Sequence, residues 1–197
     1  IVIAEPSSNQ IFVAEKGALW LEFTTLGKTA HGSMPDEGLN AILAMTELIE
    51  KLVDYQFDYQ EHKFFEEPTL NVGTIKGGVK TNVVPDKCSL TVDIRTIPGM
   101  DHEEIIKDFE ALVEELSAKE EDLKVEMEVK NNRPAVETDS QDELVQLAIE
   151  TGKEVFAKKL EPQAVNYYTD AAVFIPELKL PMFILGPGDA KLAHQPN

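Results

Sequence analysis

Leu19-Trp20-Leu21-Glu22-Phe23-Thr24 leads into Gly27-Lys28-Thr29-Ala30-His31-Gly32-Ser33-Met34-Pro35, and the join of these two stretches sets the reading of everything around it. Leu19, Leu21 and Phe23 alternate with Trp20, Glu22 and Thr24, the period of two that marks a strand with one buried face. Beyond Pro35, Asp36 is placed to cap a helix on which Leu39, Ile42, Leu43, Ile49, Leu52 and Val53 recur at three- and four-residue spacing. His31 therefore lies on a loop pinned at both ends by regular structure, where a scaffold fixes a side chain and leaves it accessible. On spacing alone it is more readily read as an ordinary loop histidine.

Working outward, Leu70, Val72 and Thr74 alternate up to the turn at Gly77-Gly78, and a further strand runs from Cys88 to Ile97. Asp101 with Glu104 opens a helix in capping-box fashion, with Ile105, Phe109, Leu112, Val113 and Leu116 as its stripe. Leu123, Val125, Met127 and Val129 then alternate against Lys124, Glu126 and Glu128. Strand, helix, strand, strand, helix, strand is the split βαβ (ferredoxin-like) pattern, four antiparallel strands with both helices on one face, an α+β unit. The aromatic connector from Tyr55 to Pro68 reads as packing or subunit contact.

On the flanks the chain looks like parts of an α/β domain. Ile1 to Ile3 and Ile11 to Val13 are short buried strands around the turn-rich Glu5-Pro6-Ser7-Ser8-Asn9. Asn131 to Asp139 reads as a linker, and Ser140 with Glu143 starts a helix striped by Leu144, Leu147, Ala148, Thr151 and Val155. Tyr167 to Asp170 is a polar turn, and Met182 to Leu185 a buried strand broken by Gly186-Pro187-Gly188. Glu5 and His194 each follow a strand, the usual place for ligands in open α/β sheets. Two such residues are too few for a metal site, and a solvated turn acid remains the plainer reading of Glu5.

Composition narrows the function classes. Among 197 residues, 36 acidic against 18 basic side chains give a formal charge of −18, which disfavours nucleic acid and anionic membrane surfaces as partners. The single cysteine, Cys88, forms no intrachain disulfide and fits a reducing compartment, so a cytoplasmic location is expected. No run reaches the roughly 20 apolar residues of a membrane helix, and no leader pattern opens the chain. Starting on a buried-type strand and stopping after His194 without a closing element, the chain reads as an excised part of a longer protein.

Several motifs in order resemble the M20-type dinuclear zinc amidohydrolases and peptidases, which include succinyl-diaminopimelate desuccinylase, acetylornithine deacetylase, aminoacylase and glutamate carboxypeptidase. Ala4-Glu5-Pro6-Ser7 is similar to that family's Gly-Glu-Pro segment, Lys16-Gly17 to the opening of its lid, and Gly27 to Pro35 with Gly38 and Asn40-Ala41 to its lid histidine motif. Gly77-Gly78, Asn82-Val83-Val84-Pro85 and Asp93-Ile94-Arg95 resemble the substrate-gripping segments. Thr169-Asp170-Ala171 and Gly186-Pro187-Gly188 with Ala193-His194-Gln195-Pro196-Asn197 resemble the closing motifs.

The resemblance implies a complete lid and dimerisation domain over 17–132, inserted in a partial α/β zinc-hydrolase domain formed by 1–16 and 133–197. It implies hydrolysis of an amide next to a free carboxylate, on a small N-acyl amino acid or peptide. Glu5 and His194 would be metal ligands on different zincs, His31 an oxyanion donor, Asn82 and Arg95 the grip on the substrate carboxylate, and Thr169 part of the pocket wall. An intact subunit would hold two zinc ions, with cobalt or manganese as alternatives. Further ligands and the general base precede the Glu-Pro segment in the family, so this chain alone is expected to bind no metal and to be inert. A homodimer through the lid is expected, with Met45 among apolar residues outside the main helical stripe near the pairing edge. The rival is a stand-alone ligand-binding or dimerisation module of the same fold.

Overall fold

The computed structural model describes residues 1–189. Along the chain come β1 (Val2–Ile3), β2 (Phe12–Glu15), β3 (Ala18–Leu26), α1 (Ala41–Val53), β4 (Thr69–Gly77), β5 (Lys87–Arg95), α2 (His102–Ser117) and β6 (Lys124–Arg133). There follow β7 (Val136–Glu137), α3 (Glu143–Phe156), β8 (Gln163–Val165), α4 (Ala171–Leu178) and β9 (Phe183–Ile184).

The strands form two sheets. One has four antiparallel strands in the order β4-β5-β3-β6. Leu19, Leu21 and Phe23 of β3 and Leu90, Val92 and Ile94 of β5 face α1 and α2, burying Met45, Leu48, Ile105, Phe109 and Leu116 in one core. Phe23 meets Phe109 edge to face, with ring centroids 6.1 Å apart. The opposite face carries Trp20, Glu22 and Thr24 of β3 and Thr91 and Asp93 of β5, and among the described residues no helix packs on it. This is the split βαβ arrangement that the alternation predicts.

The other sheet collects β1, β9, β2 and β7 in that order, with β8 also paired to β2. Ile3, Val136, Val165, Met182 and Ile184 pack with Ala171 of α4 on one side, while Ile11, Val13 and Phe183 pack with Val145 and Leu160 on the other. The chain is thus a mixed α/β molecule in which residues from both ends build one sheet and the middle builds the second.

Three local expectations need correction. Asp36 does not cap α1; Pro35–Glu37 is a separate 3-10 turn, and the Asn40 side chain accepts from the N–H groups of Ile42 and Leu43 at 2.9 and 3.3 Å. Paired backbone bonds of 2.9 Å between Lys28 and Leu39 hold residue 39 extended, so the helix cannot start earlier. The later start moves the buried stripe to Ala41, Met45, Leu48 and Leu52, so Met45 is a core residue and Leu43 and Val53 face out, each 64% exposed.

The phase of α3 also differs. Asp142, accepting from Leu144 N–H at 2.9 Å, caps it instead of Ser140, and Val145 is buried while Leu147 and Val155 are exposed. Gly152 lets Leu160 lie so close that an added Cβ would sit 2.4 Å from Leu160 Cδ1, and that approach sets the buried face. Lastly, β7 falls in the supposed linker and α4 follows directly on the supposed turn.

The chain crosses between the sheets twice, at Lys16-Gly17 and again after Arg133, side by side. A Cβ on Gly17 would lie 2.3 Å from Thr96 Oγ1 and 2.8 Å from Arg133 O, so only glycine fits. Nearby, the buried His102 donates from Nδ1 to Asn132 Oδ1 at 2.6 Å and accepts from Thr96 Oγ1 at Nε2, 2.7 Å away. Ala14, Phe65 and Ile97 fill the joint between the sheets.

Candidate functional site

The His31 loop is stitched to the turn before β5. Gly32 N–H donates to Asn82 O at 2.9 Å, Val84 N–H donates to Ala30 O at 2.9 Å, and His31 bridges Val83. Gly32 is needed for this approach, since an added Cβ would lie 3.0 Å from Asn82 C. The structure therefore brings the exposed side chains of His31 and Asn82 into one place. Ser33 N–H reaches His31 Nδ1 at 3.2 Å and Ser33 Oγ lies 2.7 Å from it. With Nδ1 accepting, the proton of the neutral ring resides on Nε2.

Glu5 stands on the turn after β1, and that turn is laced to Gly186-Pro187-Gly188 after β9. Ser7 N–H donates to Gly186 O at 3.2 Å, Gly186 N–H donates to Ser7 Oγ at 3.0 Å, and Ser8 N–H donates to Gly188 O at 2.7 Å. The backbones are so close that a Cβ on Gly186 would lie 2.5 Å from Glu5 O. Parallel pairing of β1 with β9 explains this, because both strands end on the same side. His194 lies outside the described residues.

At the end of β2 sits a group that the sequence reading did not single out. Glu15 is fully buried, and its Oε2 accepts from Thr169 Oγ1 at 2.6 Å and from Thr169 N–H at 3.0 Å. Its Oε1 has no hydrogen-bond partner among the described residues. Burial pushes this carboxyl above its ordinary range, the Thr169 bonds oppose that, and the charge of Glu5 adds to it. Thr169 commits its hydroxyl and amide to Glu15 and its Oγ1 also accepts from Ala171 N–H at 3.1 Å, which satisfies the first amide of α4. A signal was present: Glu15 takes the place of the next buried residue after Ile11 and Val13.

Arg95 closes β5 beside the sheet crossing. Its Nη2–H donates to Asp93 Oδ2 at 2.9 Å. Next to it, the Lys16 ammonium donates to Glu67 O at 3.3 Å; burial lowers its pKa, Glu66 opposes and the Arg95 charge adds to the lowering.

These residues fall into two groups. His31 and Asn82 lie where β5 begins, as the 2.9 Å bond from Gly27 N–H to Asp86 O shows, and Arg95 lies where β5 ends. Nine residues of strand separate the two ends by roughly 26 Å. Arg95 is on the side of Glu15 and Thr169, since its neighbour Thr96 accepts from Gly17 N–H at 3.0 Å. Among the described residues no three His, Cys, Asp or Glu side chains converge as a metal site. Glu5 alone does not supply the four donors of a zinc centre, so the donor set does not fit a metal without residues from elsewhere.

Residues 13–121 match the model of the M20 peptidase dimerisation domain. The chain belongs to the M20 peptidase family. It is similar to the acetylornithine deacetylase of Klebsiella pneumoniae, 34% identical over 207 residues that cover all of this chain and 50% of the relative. The acetylornithine deacetylase of Myxococcus xanthus is 29% identical, covering 98% of the chain and 50% of the relative. The chain thus spans about half the length of the curated relatives it matches. Among solved structures, a tripeptidase from Staphylococcus aureus superposes with a TM-score of 0.72 at 25% identity, covering 93% of this M20 chain and 46% of that one. A metallo-carboxypeptidase from Sulfolobus solfataricus gives 0.73 at 19% identity over 99% and 58%, a likeness of fold. No helix of the described residues is long and apolar enough to cross a membrane.

Proposed function

We propose that this M20 chain is about half of a metal-dependent hydrolase that cleaves an amide bond beside a free carboxylate, on an N-acyl amino acid or small peptide. Its middle, 17–132, is the lid and dimerisation domain, and 1–16 with 133–197 belong to the catalytic domain. Support comes from the acetylornithine deacetylases it is similar to, which also weigh against a stand-alone binding module. Family membership implies a divalent metal in the intact protein, and zinc is the proposed identity. Glu5 and His194 are the proposed ligands within this chain.

The observation that carries the mechanism is the separation along β5. His31 and Asn82 at one end and Arg95 at the other cannot close on one small substrate within a single copy, because roughly 26 Å is several times the length of such a molecule. A homodimer resolves this: one copy supplies Arg95, the strand-end residues and the Thr169 wall, and the other delivers His31 and Asn82. The edge of β4, unpaired among the described residues, with Ile75 50% exposed and α1 beside it exposing Leu43, suits symmetric pairing of that kind. In the assembled site His31 donates its Nε2–H to the oxyanion of the tetrahedral intermediate, a contribution of about 10²–10³ in turnover. Arg95 and Asn82 hold the carboxylate from two sides.

Complementation tests the arrangement in the full-length enzyme. Neither a His31→Ala homodimer nor an Arg95→Ala homodimer should turn over substrate efficiently. A verified mixed dimer of the two should recover activity, because one of its two sites retains both residues. No recovery would refute delivery between subunits.

A further inference from the structure

On the polar face of the four-stranded sheet, Trp20 of β3 stands directly opposite Asp93 of β5. The indole Nε1–H donates to Asp93 Oδ1 at 3.0 Å, while Arg95 donates to Oδ2 of the same carboxylate at 2.9 Å. Both oxygens are thus engaged, each by a different partner. A carboxylate tethered in this way cannot rotate to take the guanidinium side-on, so it engages Arg95 through Nη2 and leaves the fork its Nε–H and Nη1–H donors for another acceptor. Asp93 also supplies a negative charge that offsets Arg95 at the crossing, where the arginine charge disfavours the Lys16 ammonium and Glu66 opposes that effect. All three members of the triad are accessible: Trp20 is 39% exposed, and the Arg95 and Asp93 side chains are 28% and 33% exposed.

We propose that Asp93, held by Trp20, is a positioning residue that aims the Arg95 guanidinium at the carboxylate of the substrate. The proposal rests on the reading of Arg95 as the carboxylate anchor. Removing the tether leaves Arg95 free to swing into solvent away from Lys16, and substrate binding then carries the cost of reordering it. An incoming carboxylate that takes the free Nε–H and Nη1–H donors shares Arg95 with Asp93, the carboxylate to which the Trp20 indole is bonded. Trp20 is the one tryptophan of the chain, so its emission reports that event.

Two measurements decide the matter. In the full-length enzyme, Asp93→Asn keeps an acceptor for Trp20 and removes the charge that holds Arg95; KM for an N-acetyl amino acid should rise about tenfold with kcat nearly unchanged. The same variant should not alter kcat/KM for the corresponding carboxamide, which has nothing for Arg95 to grip. In the 197-residue chain itself, N-acetylglycine should shift Trp20 emission saturably and N-acetylglycinamide should not, and the shift should disappear in Asp93→Asn. Equal losses on acid and amide substrates would show that Asp93 only stabilises the sheet. Emission indifferent to N-acetylglycine would likewise overturn the proposal. A full-length protein that hydrolyses neither substrate would refute the hydrolase reading, while the emission titration would still decide whether Asp93 presents Arg95 to a carboxylate.

Discussion

Glu15 is the residue whose environment makes the sharpest demand. For a carboxyl with no exposed surface, and with one oxygen lacking a partner among the described residues, burial disfavours the charged form, and its pKa lies above the ordinary 4.5 mainly for that reason. The sign of the linkage follows from that direction. Protons bind the folded state more tightly than the unfolded one, so the contribution to stability is complete below pH 4.5 and is lost as pH rises through the folded value. Denaturant melts of wild type and Glu15→Gln across that window should diverge, with the wild type losing stability relative to the variant as pH increases. Parallel curves would mean that Glu15 ionises as easily in the fold as in the open chain. Thr169→Val, which leaves Oε2 with one donor fewer, should cost about 1–3 kcal/mol by the same melts.

At the scale of elements, α2 is tied to the sheet crossing through its first residue. His102 is buried between Thr96 and Asn132, and burial holds its pKa below the ordinary 6.5, with the Asn132 bond opposing. Here the neutral ring is the folded form, so stability is complete above pH 6.5 and is lost as pH falls through the folded value, the reverse of Glu15. His102→Gln should abolish that acid-side slope and lower stability by about 1–3 kcal/mol, because at least one buried partner is left unpaired. Urea titrations at stepped pH would measure both effects. The strands that build this sheet were legible from alternation, since a period of two survives small errors of boundary. Helix phase was less so: in α1, Ile42, Leu43 and Val53 offered a plausible stripe, whereas the Lys28–Leu39 pairing, which closes the loop across the helix start and carries no period of its own, goes with a buried Met45. The two-residue β7 carried too few positions to show a period at all. Glu15 was missed for a related reason, because its meaning depends on Thr169, 154 residues away.

For the whole molecule, the paired crossings at Gly17 and Arg133 matter most. Gly17→Ala would push a methyl group into Thr96 Oγ1 and the backbone at Arg133 and Ala135, and overpacking there should cost about 1–3 kcal/mol. Thermal melts should register that loss, whereas Gly73→Ala, whose Cβ meets Thr91 Oγ1 at 3.4 Å, should cost less than Gly17→Ala. A fold whose sheets meet at two adjacent strand crossings, with Phe64 and Phe65 packed at the joint and His62 bonded to Glu137 at 3.1 Å, also has the geometry of a lever. Arg95 sits next to the fulcrum and the histidine loop sits at the far tip of the same strand. Twisting the junction by ten degrees carries that tip through roughly 4–5 Å, more than the length of a hydrogen bond, while the arginine hardly moves. Opening and closing of the proposed shared site would then require no rearrangement inside either sheet, and the tip that travels is the one bearing His31, the proposed proton donor.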